Sequence, residues 1–140
     1  MLLEELLEGL EYQCIKGNTQ IEAEHLVYHT GKIEEGSIFV CLKGANFDSH
    51  QVISEIAAKG AAAVIVERDM MIDENLTVIR VNDTRKALAH MSAAYFGHPA
   101  RKMRMIAVTG TKGKTTTTYL IKSILENAGY QVGLIGTIET

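Results

Sequence analysis

Val108-Thr109-Gly110-Thr111-Lys112-Gly113-Lys114-Thr115-Thr116 sets two glycines and two lysines between an apolar run and an amphipathic one. Upstream, Met103–Val108 reads as a buried strand. Downstream, Lys114–Ala128 reads as a helix with Leu120, Ile121, Ile124 and Leu125 on its apolar face, stopped by Gly129. Gln131–Ile135 reads as a second strand, and strand, helix and strand make one βαβ unit. This is the setting a phosphate-binding loop requires. Gly110 and Gly113 let the backbone curl so that successive N–H groups face one anion. The helix start adds unsatisfied N–H groups and the positive end of a dipole. Lys114 supplies a charge for β- and γ-phosphates, and the Thr115 hydroxyl can ligate Mg²⁺. The general pattern has Gly where Val108 stands, so the loop is a variant of the form T-G-T-x-G-K-T-T. Thr115–Thr118 are β-branched and weak helix formers, so four in a row are poorly explained by helix stability alone.

Working outward, Pro99-Ala100-Arg101-Lys102 is short, polar and holds the single proline of the chain. It divides residues 1–98 from residues 99–140. Charge divides there too: 8 Lys/Arg against 15 Asp/Glu in the first part, and 6 against 2 in the second, within a net charge of −3. The basic bias fits nucleotide phosphates. No aromatic-rich basic surface accompanies it, so nucleic acid is not expected as a partner.

The first part alternates short helical and strand patterns. Leu2, Leu3, Leu6, Leu7 and Leu10 recur at helical spacing, ending near Gly9. Tyr12–Ile15, Leu26–His29, Ser37–Leu42, Ala61–Val66 and Thr77–Val81 read as strands. Asp48 or Ser49 caps a helix through Lys59 with Val52, Ile53, Ile56 and Ala57 on one face, and Asp83 caps another carrying Leu88, Met91 and Tyr95. The expected fold class is α/β: a small N-terminal α/β domain, then a P-loop βαβ unit cut short.

The chain has 140 residues and is 46% apolar, enough for a core. No apolar run approaches the roughly 18 residues of a membrane span. Glu4, Glu5 and Glu8 in the first ten residues do not fit a secretory signal. Cys14 and Cys41 form no CxxC pair and read as small buried core residues in a reducing cytoplasm. His25, His50, His90 and His98 have no mutual metal spacing and read as surface or capping residues. Met70-Met71 and Met103/Met105 read as packing residues, and Glu34-Glu35 and Asp73-Glu74 as solvated charges. No catalytic dyad is evident.

The run Ala107–Thr118 resembles the ATP loop of the Mur ligases, which add amino acids to the UDP-N-acetylmuramoyl peptide. Gly36–Gly44, then Phe47-Asp48-Ser49-His50, resemble the family's P-G-D-L-F-V-A-L-x-G and D-G-H. Gly60–Val64 resembles its G-A-x-A-V. Gly133–Ile138 is similar to the tripeptide-synthetase branch, which adds diaminopimelate or lysine as the third residue. The resemblance implies a UDP-sugar domain over 1–98 and the start of a central ATP-binding domain over 99–140. It implies ATP on Gly110, Thr111, Lys112, Gly113, Lys114, Thr115 and Thr116, with Thr115 on Mg²⁺. It implies UDP-sugar contacts from Tyr28 and Thr30 in one loop and Ala45, Asn46 and Phe47 in another. The family's D-S-R stands here as His29-Thr30-Gly31, which keeps a hydroxyl and loses the carboxylate and guanidinium.

In such ligases ATP and Mg²⁺ activate a carboxylate as an acyl phosphate, and an amine then displaces phosphate. Residues for the later steps lie beyond this stretch of the family pattern, so the chain alone is expected to be inactive as a ligase. A second reading is a non-catalytic module that holds a nucleotide or UDP-sugar. Two strands do not make a stable sheet alone. The apolar faces of the βαβ unit therefore pack on residues 1–98, pack on another copy of the chain by self-association, or remain loose.

Overall fold

Three runs of the first part are too apolar on both faces for a half-solvated strand: Ser37–Val40, Ala63–Val66 and Thr77–Val81. Strands with this pattern belong in the middle of a parallel sheet covered on two sides. The computed structural model, which describes residues 1–72 and 74–136, places them there. The chain divides into two compact units, Met1–Lys102 and Met103–Thr140.

The first unit runs α1 (Leu3–Leu7), β1 (Tyr12–Lys16), β2 (His25–Val27), β3 (Ser37–Val40), α2 (Ile53–Ala58), β4 (Ala63–Val66), β5 (Thr77–Val81) and α3 (Thr84–Tyr95). The sheet order is β1-β5-β4-β3-β2. β2 to β5 are mutually parallel, and β1 closes one edge antiparallel to β5. Ile38, Val40, Ile65 and Ile79 point to one face, where Leu3, Leu6 and Leu7 of α1 meet Ala87 and Met91 of α3. Phe39, Val64, Val66 and Val78 point to the other, against Ile53 and Ile56 of α2. The alternation of neighbours between two cores follows from the two-residue period of a strand. The helices after β3 and β5 thus leave the sheet on opposite faces, and the loops between them open at its carboxyl edge.

Local chemistry sets the element ends. Asp83 Oδ1 accepts from the N–H groups of Arg85 and Lys86 and caps α3. Asp48 caps a 3₁₀ turn, Ser49–Val52, that leads into α2. Gly60, at φ 97°, follows α2 where a Cβ would stand 3.1 Å from Glu35 Cα, so both the turn and the close approach require glycine.

Five expectations need correction. Cys14 is exposed, because β1 is an edge strand with a solvated face; only Cys41 is buried. His50 is not a surface residue but is 2% exposed. Met71 is 98% exposed and packs on nothing, whereas Met70 lies against the α2-side core. The expected βαβ unit is not formed among the described residues: the second unit holds α4 (Lys114–Asn127), but Met103–Val108 and Gln131–Ile135 pair with no strand. Met105, Ile106, Leu120, Ile124 and Ile135 are each more than half exposed. A parallel strand exists only against a neighbour, and among the described residues of their unit none stands beside these segments. Asp73 lies outside the described residues, and Glu74 accepts from Ser54 Oγ rather than standing only in solvent. No helix among the described residues is long and apolar enough to cross a membrane.

Candidate functional site

The residues singled out in the first unit open off neighbouring strands. Tyr28 and Thr30 follow β2; Ala45, Asn46 and Phe47 follow β3, which pairs with β2 in parallel. Both loops therefore emerge at the carboxyl edge of the sheet, where α/β folds place their ligands. Tyr28 and Phe47 are 58% and 56% exposed. In the first loop His29 takes the place of the carboxylate in the D-S-R pattern. Its Nδ1 accepts from Gly31 N–H at 3.1 Å, and a Cβ on Gly31 would stand 3.2 Å from the ring. The two departures thus belong together: the imidazole caps the turn across a residue that has no side chain. Lys59 Nζ donates to Thr30 O at 3.2 Å and ties this loop to the end of α2.

The second loop begins and ends on charged groups. Gly44 N–H donates to Phe47 O at 2.8 Å and closes the tip. Asp48 Oδ1 accepts from His50 N–H at 3.0 Å and from His50 Nδ1 at 2.6 Å, and its Oδ2 accepts from Arg68 Nη2 at 3.1 Å. Glu67 N–H donates to His50 Nε2 at 3.3 Å, which puts the ring proton on Nδ1. Glu67 also accepts from Thr84 N–H and Oγ1. Burial would raise the Asp48 carboxyl, but the hydrogen bonds from His50 and the nearby Arg68 outweigh it and hold the group below its ordinary 3.8. Beside it, burial pushes the Cys41 thiol up to about 12 and leaves it inert.

A cleft of about 500 Å³ lies alongside, lined by Lys43 after β3, Glu67 and Arg68 after β4, and Asn82 to Arg85 at the start of α3. None of the five residues expected to touch the sugar nucleotide lines it. His50, Arg68 and Arg85 were not picked out as site residues by sequence. The signal available for His50 was its place in the run Phe47–His50.

In the second unit the loop leads into α4 as its chemistry demands. Gly113 stands at the N-cap position in the left-handed region, φ 73°, ψ 3°. A Cβ there would meet nothing within 4 Å, so glycine is needed for backbone conformation and not for room. Lys114 Nζ donates to Gly110 O at 2.7 Å, which folds the ammonium back over the loop. The threonines divide: Thr117 and Thr118 hydroxyls donate to Gly113 O and Thr115 O, whereas no hydrogen bond of the Thr115 or Thr116 hydroxyl occurs among the described residues. With the first N–H groups of α4 lacking intrahelical partners, the loop offers donors, the ammonium groups of Lys112 and Lys114, and the Thr115 and Thr116 hydroxyls. That set fits a Mg²⁺-bound polyphosphate.

A family model described as Mur ligase family, catalytic domain, matches residues 24–96, and one described as Mur ligase middle domain matches residues 108–140. The chain belongs to the Mur ligase family. Among curated Mur ligases it is 51% identical to the UDP-N-acetylmuramoyl-L-alanyl-D-glutamate--2,6-diaminopimelate ligase of Clostridium perfringens, over 99% of this chain and 28% of that protein. It is 43% identical to the ligase of the same name from Clostridium botulinum, over 99% of this chain and 29% of that one. It thus spans under a third of the length of these Mur ligases. Among solved structures it resembles the Mur ligase MurF of Acinetobacter baumannii, with a TM-score of 0.69 and 32% identity over 89% of this chain and 27% of that one. It also resembles MurF of Thermotoga maritima in complex with ADP, with a TM-score of 0.52 and 31% identity over 74% of this chain and 23% of that one.

Proposed function

We propose that this chain carries the first domain and the opening of the central domain of the ligase that adds 2,6-diaminopimelate to UDP-N-acetylmuramoyl-L-alanyl-D-glutamate. The observation that carries the reading is the 51% identity to a ligase of that name across 99% of the chain. The choice of diaminopimelate over lysine rests on the names of these relatives and on no residue of the chain.

Residues 1–98 hold the UDP-sugar end of the substrate through Tyr28, Thr30, Ala45, Asn46 and Phe47. Residues 99–140 hold nucleotide phosphates through Gly110–Thr116, with Lys114 on the phosphates and Thr115 on Mg²⁺. ATP with Mg²⁺ supplies the phosphoryl group that activates the substrate carboxylate. The part of this chain is to bind and orient: the loop N–H groups and Lys114 offset phosphate charge, which is most of what phosphoryl transfer asks of a protein. These residues span 28% of that relative's length, so binding and not turnover is the property to measure on them.

Calorimetric titration of ATP with Mg²⁺ into the 140-residue chain tests the phosphate loop. The expected result is saturable binding that Lys114→Ala weakens by tenfold or more, about 1.4 kcal/mol. No response from either protein contradicts a working loop.

A further inference from the structure

We propose that Arg85 and His50 are positioning residues, which hold the Ala45-Asn46-Phe47 tip in the one conformation that receives the uridine diphosphate end of the substrate. The proposal rests on the reading of that tip as a substrate loop.

The tip has little to hold it in place. Ala45, Asn46 and Phe47 are exposed, and the bond from Gly44 N–H to Phe47 O closes the turn without attaching it to the domain. Its stem is braced at the base by hydrogen bonds between Leu42 and Ser49, and side chains from other elements hold it: Arg85, His50, and Arg68, whose Nη2 donates to Asp48 Oδ2 at 3.1 Å. At the start, Arg85 Nη2 donates to Lys43 O at 2.9 Å. At the end, His50 is buried and bonded on both ring nitrogens: Nδ1 to Asp48 at 2.6 Å, and Nε2 to Glu67 N–H at 3.3 Å. The attachments reach two strand ends. Glu67 follows β4, and Arg85 lies in the first turn of α3, after β5.

The cleft explains why polar clamps are needed. Lys43 and Arg85 both line it, so the start of the stem faces a space of about 500 Å³ and not a packed surface. Arg85 is itself exposed and belongs to neither core. Removing its guanidinium therefore leaves the fold intact and loosens the Lys43 side of the stem, while Asp48 keeps its bonds to His50 and Arg68. A supporting shell of this kind sets how tightly a loop binds, although its members do not touch the ligand.

The test is a UDP titration of the isotope-labelled chain followed by amide NMR, with ¹⁵N relaxation of the free protein. Arg85→Ala is expected to weaken UDP about fivefold, the change that one lost hydrogen bond carries. It is also expected to lower the order of the 45–47 amides in the free chain toward the flexible range, below about 0.6. Arg85→Lys, which keeps a donor, recovers part of both. His50→Asn, which keeps a donor for Asp48 and loses the acceptor for Glu67, acts in the same direction. Native affinity and native tip order in Arg85→Ala overturn the proposal. If the unaltered chain binds no UDP, the substrate reading of the tip falls. The relaxation data then decide the clamp on their own, and a tip equally ordered with and without Arg85 overturns it.

Discussion

Asp48 accepts three hydrogen bonds on two oxygens, from His50 N–H, His50 Nδ1 and Arg68. Such a carboxylate is worth more charged than neutral, and its pKa is held below the ordinary 3.8. A depressed carboxyl contributes stability above its unfolded value and loses it as the pH falls through its lowered folded value. Asp48→Asn is therefore expected to destabilise the first unit at neutral pH by roughly 1–3 kcal/mol. The difference from the unaltered chain should shrink as the solution is acidified past 3.8. Urea unfolding at a series of pH values measures this. The two thiols give a second expectation: Cys14 reacts with a thiol reagent in the native chain, and Cys41 does so only after unfolding, since it is buried with its pKa raised to about 12. At this scale the sequence was informative where one residue type has one physical use. Gly113 at a left-handed helix start and Asp83 as a cap are such cases. It misjudged Cys14 and His50, because burial depends on which strand is at the edge and which side chains close around a ring.

Among the elements, β5 and the two longer helices were legible nearly to the residue, and the other strands were legible to within two or three. The reason is visible in α3: Asp83 marks the start, Leu88, Met91 and Tyr95 repeat at helical spacing, and Gly97 follows the end. Asp83→Ala removes the acceptor for two backbone N–H groups and is expected to cost about 1 kcal/mol, read as a lower thermal midpoint. Met91→Ala opens a cavity between α1, α3 and the sheet and is expected to cost about 2–5 kcal/mol by the same measurement. Met103–Val108 and Gln131–Ile135 show what a pattern leaves out. Their apolar, β-branched character is real, but pairing belongs to two segments and not to one. The candidate loops were found by resemblance, whereas the network through His50, Glu67, Arg68 and Arg85 joins residues distant in sequence with no common period.

For the whole molecule, the contrast between the units is one of burial. The first has two cores on either side of a five-stranded sheet, whereas α4 in the second has no buried residue. A helix of 14 residues with no buried side chain gains little from packing and is marginal in water. In native-state hydrogen exchange the amides of β3, β4 and β5 are expected to be protected to near the global stability, and those of α4 to exchange far sooner. Equal protection would mean that the exposed apolar side chains of the second unit are covered in solution. On the proposed function, chemistry is divided in the same way: a sugar-nucleotide edge on the first unit, a phosphate loop on the second. The most direct test of that account is a UDP titration of the labelled chain, with the amide of every residue as a probe. The account predicts saturable shifts centred on Tyr28–Thr30 and Ala45–Phe47. Shifts confined to Gly110–Thr116, or none at millimolar UDP, would contradict it.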